Sequence, residues 1–184
     1  SGFIAILLNE CSRKWQKRYQ TLILIPHLLS YVVVSYIAYA FLGAENGMIN
    51  NQILRPLGLD PISFYTEDKY WPFILVFVNI WKTFGYSSII YFASIIGIDR
   101  TYYEAAEVDG ASAWTQIWSI TLPLLKPVLI TMLLLSVGRI LYSDFGLFYQ
   151  VPMDSGMLFN TTNTIDTFVY RGLLQTNDLG RAAA

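Results

Sequence analysis

Lys82 is the one formal charge within residues 72–98, a run otherwise apolar enough to cross a bilayer. An ammonium at that depth is costly. It therefore marks either a contact for a polar solute or a pair with a carboxylate or backbone carbonyl elsewhere in a bundle. Trp81 stands beside it, with Asn79 and Tyr86 nearby. Aromatic faces and hydrogen-bonding side chains suit a sugar, which offers C–H faces and hydroxyls. Arg139 and Tyr142, near the end of a later apolar run, are weaker candidates for the same path. No nucleophile–base pair or metal-ligand cluster accompanies these residues. The lone Cys11 excludes an internal disulfide and a cysteine-based zinc cluster. The lone His27 follows Pro26 in an apolar run and reads as a packed or capping histidine. The sequence holds no GxxxxGK[ST] phosphate loop, no HExxH and no GxSxG. No cofactor is expected on the chain itself.

The elements that must position these residues are apolar helices. Of 184 residues, 54% are hydrophobic and 14% charged, with a mean hydropathy of +0.44. A soluble domain carries about 25% charged residues, so the shortfall points to lipid as the solvent. The net charge of −1 offers no bulk attraction for nucleic acid. A spanning helix needs about 20 mostly apolar residues. Three runs qualify as spans: 21–42, 72–98 and 124–142. Pro26 lies near one end of the first, where proline costs least. Lys126 and Arg139 lie near the ends of the third, where long basic side chains snorkel to headgroups. The 16% aromatic content is ordinary for interfacial belts and is no evidence of sugar.

Short-loop basic residues set orientation. Arg13, Lys14, Lys17 and Arg18 precede the first span and place that end in the cytoplasm. Residues 43–71 are then external, with turn formers at Asn46-Gly47, Arg55-Pro56, Gly58 and Asp60-Pro61. Residues 99–123 return to the cytoplasm by counting spans. The segment from Ser143 is external and leads through a short helix around 165–174. No secretory signal pattern opens the chain. Residues 1–8 read as the end of a longer apolar helix and 179–184 as the start of another, so both ends read as cut.

The polar insert between the second and third spans has its own logic. Glu104 to Val108 are good helix formers with a thin alanine face. Gly110 suits the left-handed conformation that ends a helix, and Ser112 is a candidate N-cap for a second helix. On that helix Trp114, Ile117 and Trp118 share one face by i, i+3, i+4 spacing, and Pro123 is expected to stop the element before the next span. Such a helix–turn–helix knob either lies in a groove of a partner protein or merely connects two spans at the interface. Small residues at Ala105, Ala106 and Ala111 permit close approach.

The residues Glu104-Ala105-Ala106, then Asp109-Gly110-Ala111, then Ile120, Leu122 and Pro123 resemble the EAA loop of permease subunits in binding-protein-dependent ABC importers. Pro26-His27-Leu28-Leu29-Ser30, the stretch from Asn79 to Tyr86, and Ile165-Asp166-Thr167 to Arg171 look like the polysaccharide and oligosaccharide branch of that family, the LplB-like group. Trp114 and Trp118 stand where phenylalanine is frequent in the family. The resemblance implies an all-α membrane protein, a fragment of a type I permease helical bundle that has about six spans when whole. It implies a multi-pass protein of a bacterial-type plasma (inner) membrane, with a separate ABC ATPase, a second permease subunit, an extracytoplasmic solute-binding protein and membrane lipid as partners. Glu104, Ala105, Ala106, Asp109, Gly110, Ala111, Trp114 and Trp118 would form the joint to the ATPase, which binds the ATP. The implied cargo is an oligosaccharide or similar polar solute. An ion-coupled secondary transporter is the alternative, disfavoured by the few acidic groups in the spans; an integral membrane enzyme is a weaker one.

Overall fold

The structure is a computed structural model that describes residues 1–140 and 142–174, Arg13 by its backbone only; the helix start expected at 179–184 lies outside the described residues. All regular elements among the described residues are helical. They fall into two compact units, the first comprising Ser1–Leu28 and Trp81–Leu141, the second Leu29–Ile80 and Tyr142–Ala184. Two helical stretches, Asp68–Ile96 and Ala113–Gly138, are long and apolar enough to cross a membrane; Lys14–Leu28 and Tyr31–Leu42 qualify only as a pair.

That pair corrects the first expected span. Residues 21–42 are not one helix but the end of α2 (Arg13–Leu28) and the whole of α3 (Tyr31–Leu42). Ser30 is extended and its hydroxyl accepts the N–H of Val33 at 3.3 Å, an N-cap that starts α3 afresh. Pro26, taken as lying near the start of a span, sits instead in the last turn of α2. The apolar run continues across the break, so hydropathy carries no sign of it.

In the first unit α1 (Gly2–Glu10) supplies Ala5 and Leu8 to a core completed by Phe92 and Ile95 of α4 (Trp71–Ile96) and by Leu125. Leu125 belongs to α7 (Leu122–Gly138). Between α4 and α7 lie α5 (Arg100–Val108), α6 (Ala113–Gln116) and a π-helical turn, Ile117–Thr121. The third span is corrected here. The helix does not stop at Pro123; it runs from Ala113 to Gly138 without interruption. Pro123 falls in the first turn of α7, directly after the wide π turn. A proline there lacks the N–H that a regular helix would need, and the looser turn before it leaves room for its ring. The span ends four residues earlier than expected, with Arg139 at its C-cap and exposed.

The second unit is organised by hydrogen bonds from buried and half-buried side chains. Asn50 is fully buried and ties Gly43, Ala44 and Ile62 together. The Trp71 indole N–H donates to the Phe64 carbonyl at 2.6 Å, and the Tyr31 hydroxyl donates to Asp144 at 2.5 Å. Residues 143–174 add α8 (Phe159–Thr162) and α9 (Ile165–Leu174), the latter spanning the short helix expected there. Arg171 binds Asp154 at 2.7 Å and lies over the Phe159 ring. This holds a turn in which Met153 and Asp154 both have positive φ.

Candidate functional site: the hairpin between the second and third spans

The hairpin is built by local capping. Asp99 is the N-cap of α5, its carboxylate accepting the N–H of Thr101 at 3.0 Å. That amide hydrogen bond holds the Asp99 carboxyl below the usual carboxylate range. A depressed carboxylate stabilises the fold above its unfolded pKa and loses that effect as pH falls through the folded value. Hydrogen exchange in the first turn of α5 is therefore expected to accelerate in Asp99→Ala at neutral pH, and to stay slow in Asp99→Ser. Equal exchange in both variants would show the cap to be idle.

At the other end of α5, Gly110 adopts φ +78°. Its N–H donates to Glu107, and the N–H of Ala111 donates to Ala106. Together these are the paired bonds of a Schellman turn, which needs the left-handed residue that glycine supplies. Ser112 then caps α6 as expected, accepting the Thr115 N–H at 3.3 Å. Asp109 occupies the C-cap of α5 with an exposed side chain, and it is the backbone bonds that close the turn.

The hairpin presents an apolar outer surface. Trp114 and Trp118 are 65% and 59% exposed and meet edge to face, ring centroids 6.2 Å apart. Tyr102 and Val108 are exposed as well. Ile117 departs from the face expected of it: it is half-buried and lines a cavity of about 500 Å³ shared with Glu10, Arg100, Glu104, Glu107 and Gln116. Of the remaining residues singled out in this loop, Ala105 is exposed, while Ala106 and Ala111 are half-buried in the turn. Sequence reasoning missed the bond between Tyr103 and Thr121 (2.9 Å), which ties α5 to the π turn. Those residues are 18 apart and carry no mutual signal until the chain folds back.

The residues proposed for a solute path are arranged differently. Lys82 is 8% exposed, and its ammonium donates to the carbonyls of His27 (3.0 Å) and Pro26 (3.4 Å). Tyr86 stacks on His27, centroids 4.8 Å apart and planes within 14°. His27 is thus packed, in line with the reading from sequence. Backbone carbonyls are among the partners that the sequence left open for Lys82. Asn79 lies on α4 one turn before Lys82, whereas Arg139 is at the C-cap of α7.

Residues 2–149 match the family described as binding-protein-dependent transport system inner membrane component. The chain belongs to that family. It is 35% identical to the polygalacturonan/rhamnogalacturonan transport system permease protein YteP of Bacillus subtilis, over 98% of this chain and 56% of YteP. It is 33% identical to protein LplB of the same organism, over 91% of this chain and 52% of LplB. The chain thus spans about half the length of these relatives. Among solved structures, it matches a chain of a bacterial ABC transporter involved in import of the acidic polysaccharide alginate. That match has a TM-score of 0.85 at 34% identity and covers 98% of this chain and 63% of the other. A bacterial alginate ABC transporter in complex with an alginate pentasaccharide-bound periplasmic protein matches with a TM-score of 0.82 at 34% identity, over 96% of this chain and 60% of the other. Over its described residues this inner membrane component therefore has the helical fold of the matching part of an ABC transporter permease.

Proposed function

We propose that this chain is part of the transmembrane permease subunit of an ATP-driven importer that moves an oligosaccharide or similar polar solute by alternating access. The hairpin is the cytoplasmic joint to a separate ATPase, and a second permease subunit and an extracytoplasmic solute-binding protein complete the assembly. The chain itself is a transport subunit; nucleotide binding and hydrolysis belong to the ATPase. The observation that carries this reading is the hairpin's construction. Its second arm is continuous with a spanning helix, and its outer surface offers two exposed tryptophans to a groove. A rigid arm passes a displacement at the tryptophans into the membrane, where a flexible loop would absorb it. The names of YteP and of the alginate transporter support a saccharide cargo.

Gly110 gives a test of the turn itself, because a Cβ there meets nothing within 4 Å while its φ of +78° strains most other residues. In the full-length protein, Gly110→Glu is expected to leave the permease inserted, to lose co-purification with the ATPase and to lose ATP-driven uptake. Gly110→Asn, which tolerates the left-handed conformation, is expected to keep most of both. Normal association and normal uptake in Gly110→Glu would overturn the joint.

A further inference from the structure

We infer that Lys82, Gly85 and Tyr86 of α4 form a clasp on the last turns of α2, so that α2 travels with α4 and the hairpin as one body. Lys82 is then a positioning residue for transport and not a ligand of the solute. The inference rests on the importer reading above.

Three independent contacts build the clasp. First, α2 ends at Leu28, so the carbonyls of Pro26 and His27 lose the amides of residues 30 and 31 that a longer helix would have supplied. In a bilayer such orphan acceptors need a protein donor. The Lys82 ammonium, with three hydrogens to give, donates to both. It also places a cation at the negative end of the α2 dipole, which offsets part of the cost of burying it. Second, Gly85 lets the two backbones touch: a Cβ there would lie 1.8 Å from the Ile23 carbonyl oxygen. Third, Tyr86 stacks on His27. The contacts repeat over one turn of α4 and engage Ile23, Pro26 and His27, along one side of α2.

The mechanical consequence follows from connectivity. After Ile96 only Gly97–Asp99 separate α4 from α5, the first arm of the hairpin. A push on the hairpin reaches α4 directly but reaches α2 only through side-chain contacts. Without Lys82 the end of α2 keeps its glycine contact but loses its directional bonds.

The experiment uses the full-length protein in nanodiscs, with Cys11 replaced by serine and spin labels at Leu22→Cys and Ile96→Cys, both sites exposed. The distance distribution is first read on the permease alone. It is expected to be narrow in the native background, broad in Lys82→Met and narrow again in Lys82→Arg. Identical distributions in all three overturn the clasp, whatever the fate of the ATPase reading. In the complete transporter, Lys82→Met is expected to keep ATPase association while uptake falls about tenfold. A changed solute preference with an unchanged label distance would overturn the inference and return Lys82 to the solute path. Should Lys82→Met fail to insert, Tyr86→Leu tests the same clasp through its stacking contact and is expected to broaden the distance in a folded protein.

Discussion

Gly85→Ala is expected to be the most damaging single-methyl change in the spans. The added Cβ would lie 1.8 Å from the Ile23 oxygen and 2.6 Å from its carbonyl carbon. Both are backbone atoms of a helix, so no rotamer change relieves the overlap and α2 itself must retreat. Overpacking a well-filled site costs about 1–3 kcal/mol when side chains can adjust, and a backbone clash belongs at or above the top of that range. The retreat would also lengthen the Lys82 bonds to Pro26 and His27, which lie within a turn of Gly85. Small residues at helix crossings are how membrane helices gain close packing in the absence of a hydrophobic drive between them. Thermal unfolding of the detergent-solubilised full-length protein, followed by size-exclusion fluorescence, should show a large loss of Tm or no monodisperse species. Gly138→Ala is the control, since a Cβ there meets nothing within 4 Å. A wild-type melting temperature for Gly85→Ala would refute the close approach.

Asn50→Leu is expected to open the loop of residues 43–70. The Asn50 amide nitrogen donates toward Gly43 (3.2 Å), Ala44 (3.1 Å) and Ile62 (2.9 Å), with two hydrogens shared among three carbonyls. Its oxygen accepts the N–H of Ile62 at 3.0 Å. The side chain is fully buried, so removing it strands acceptors and a donor away from water. Each buried group left unsatisfied costs about 1–3 kcal/mol, far more than the apolar gain of leucine returns. Asn50→Asp should be no better, because it sets an acceptor against three carbonyls. Limited proteolysis of the intact protein is the measurement, with rapid cleavage within residues 43–70 expected for both variants. Unchanged protection would mean that Asn50 does not hold the loop.

The features legible in the sequence share a short range. Gly110 and Ser112 were readable because a left-handed C-terminal glycine and a serine N-cap act on amides no more than four residues away. The helix over residues 71–96 was readable to within two residues, since length and apolarity are summed along the chain itself. The break at residues 29–30 was not, because apolar residues continue through it and one serine in a span is no signal. The passage of the helix through Pro123 was also hidden. A proline normally ends an element, and only the π turn at Ile117–Thr121 shows how this one is accommodated.

By itself, then, the sequence determined the membrane environment, the apolar runs, the capped glycine turn and the family. Each of these is written in composition or in local spacing. The tertiary structure alone decided which carbonyls the buried cation meets and which way the hairpin's side chains face. Lys82 meets carbonyls 55 and 56 residues away. Ile117 turns to a cavity while its neighbours Trp114 and Trp118 stay outside. A charge in a span reports only that it must be satisfied; which acceptor satisfies it depends on a helix packing that Gly85 permits and that no local pattern encodes.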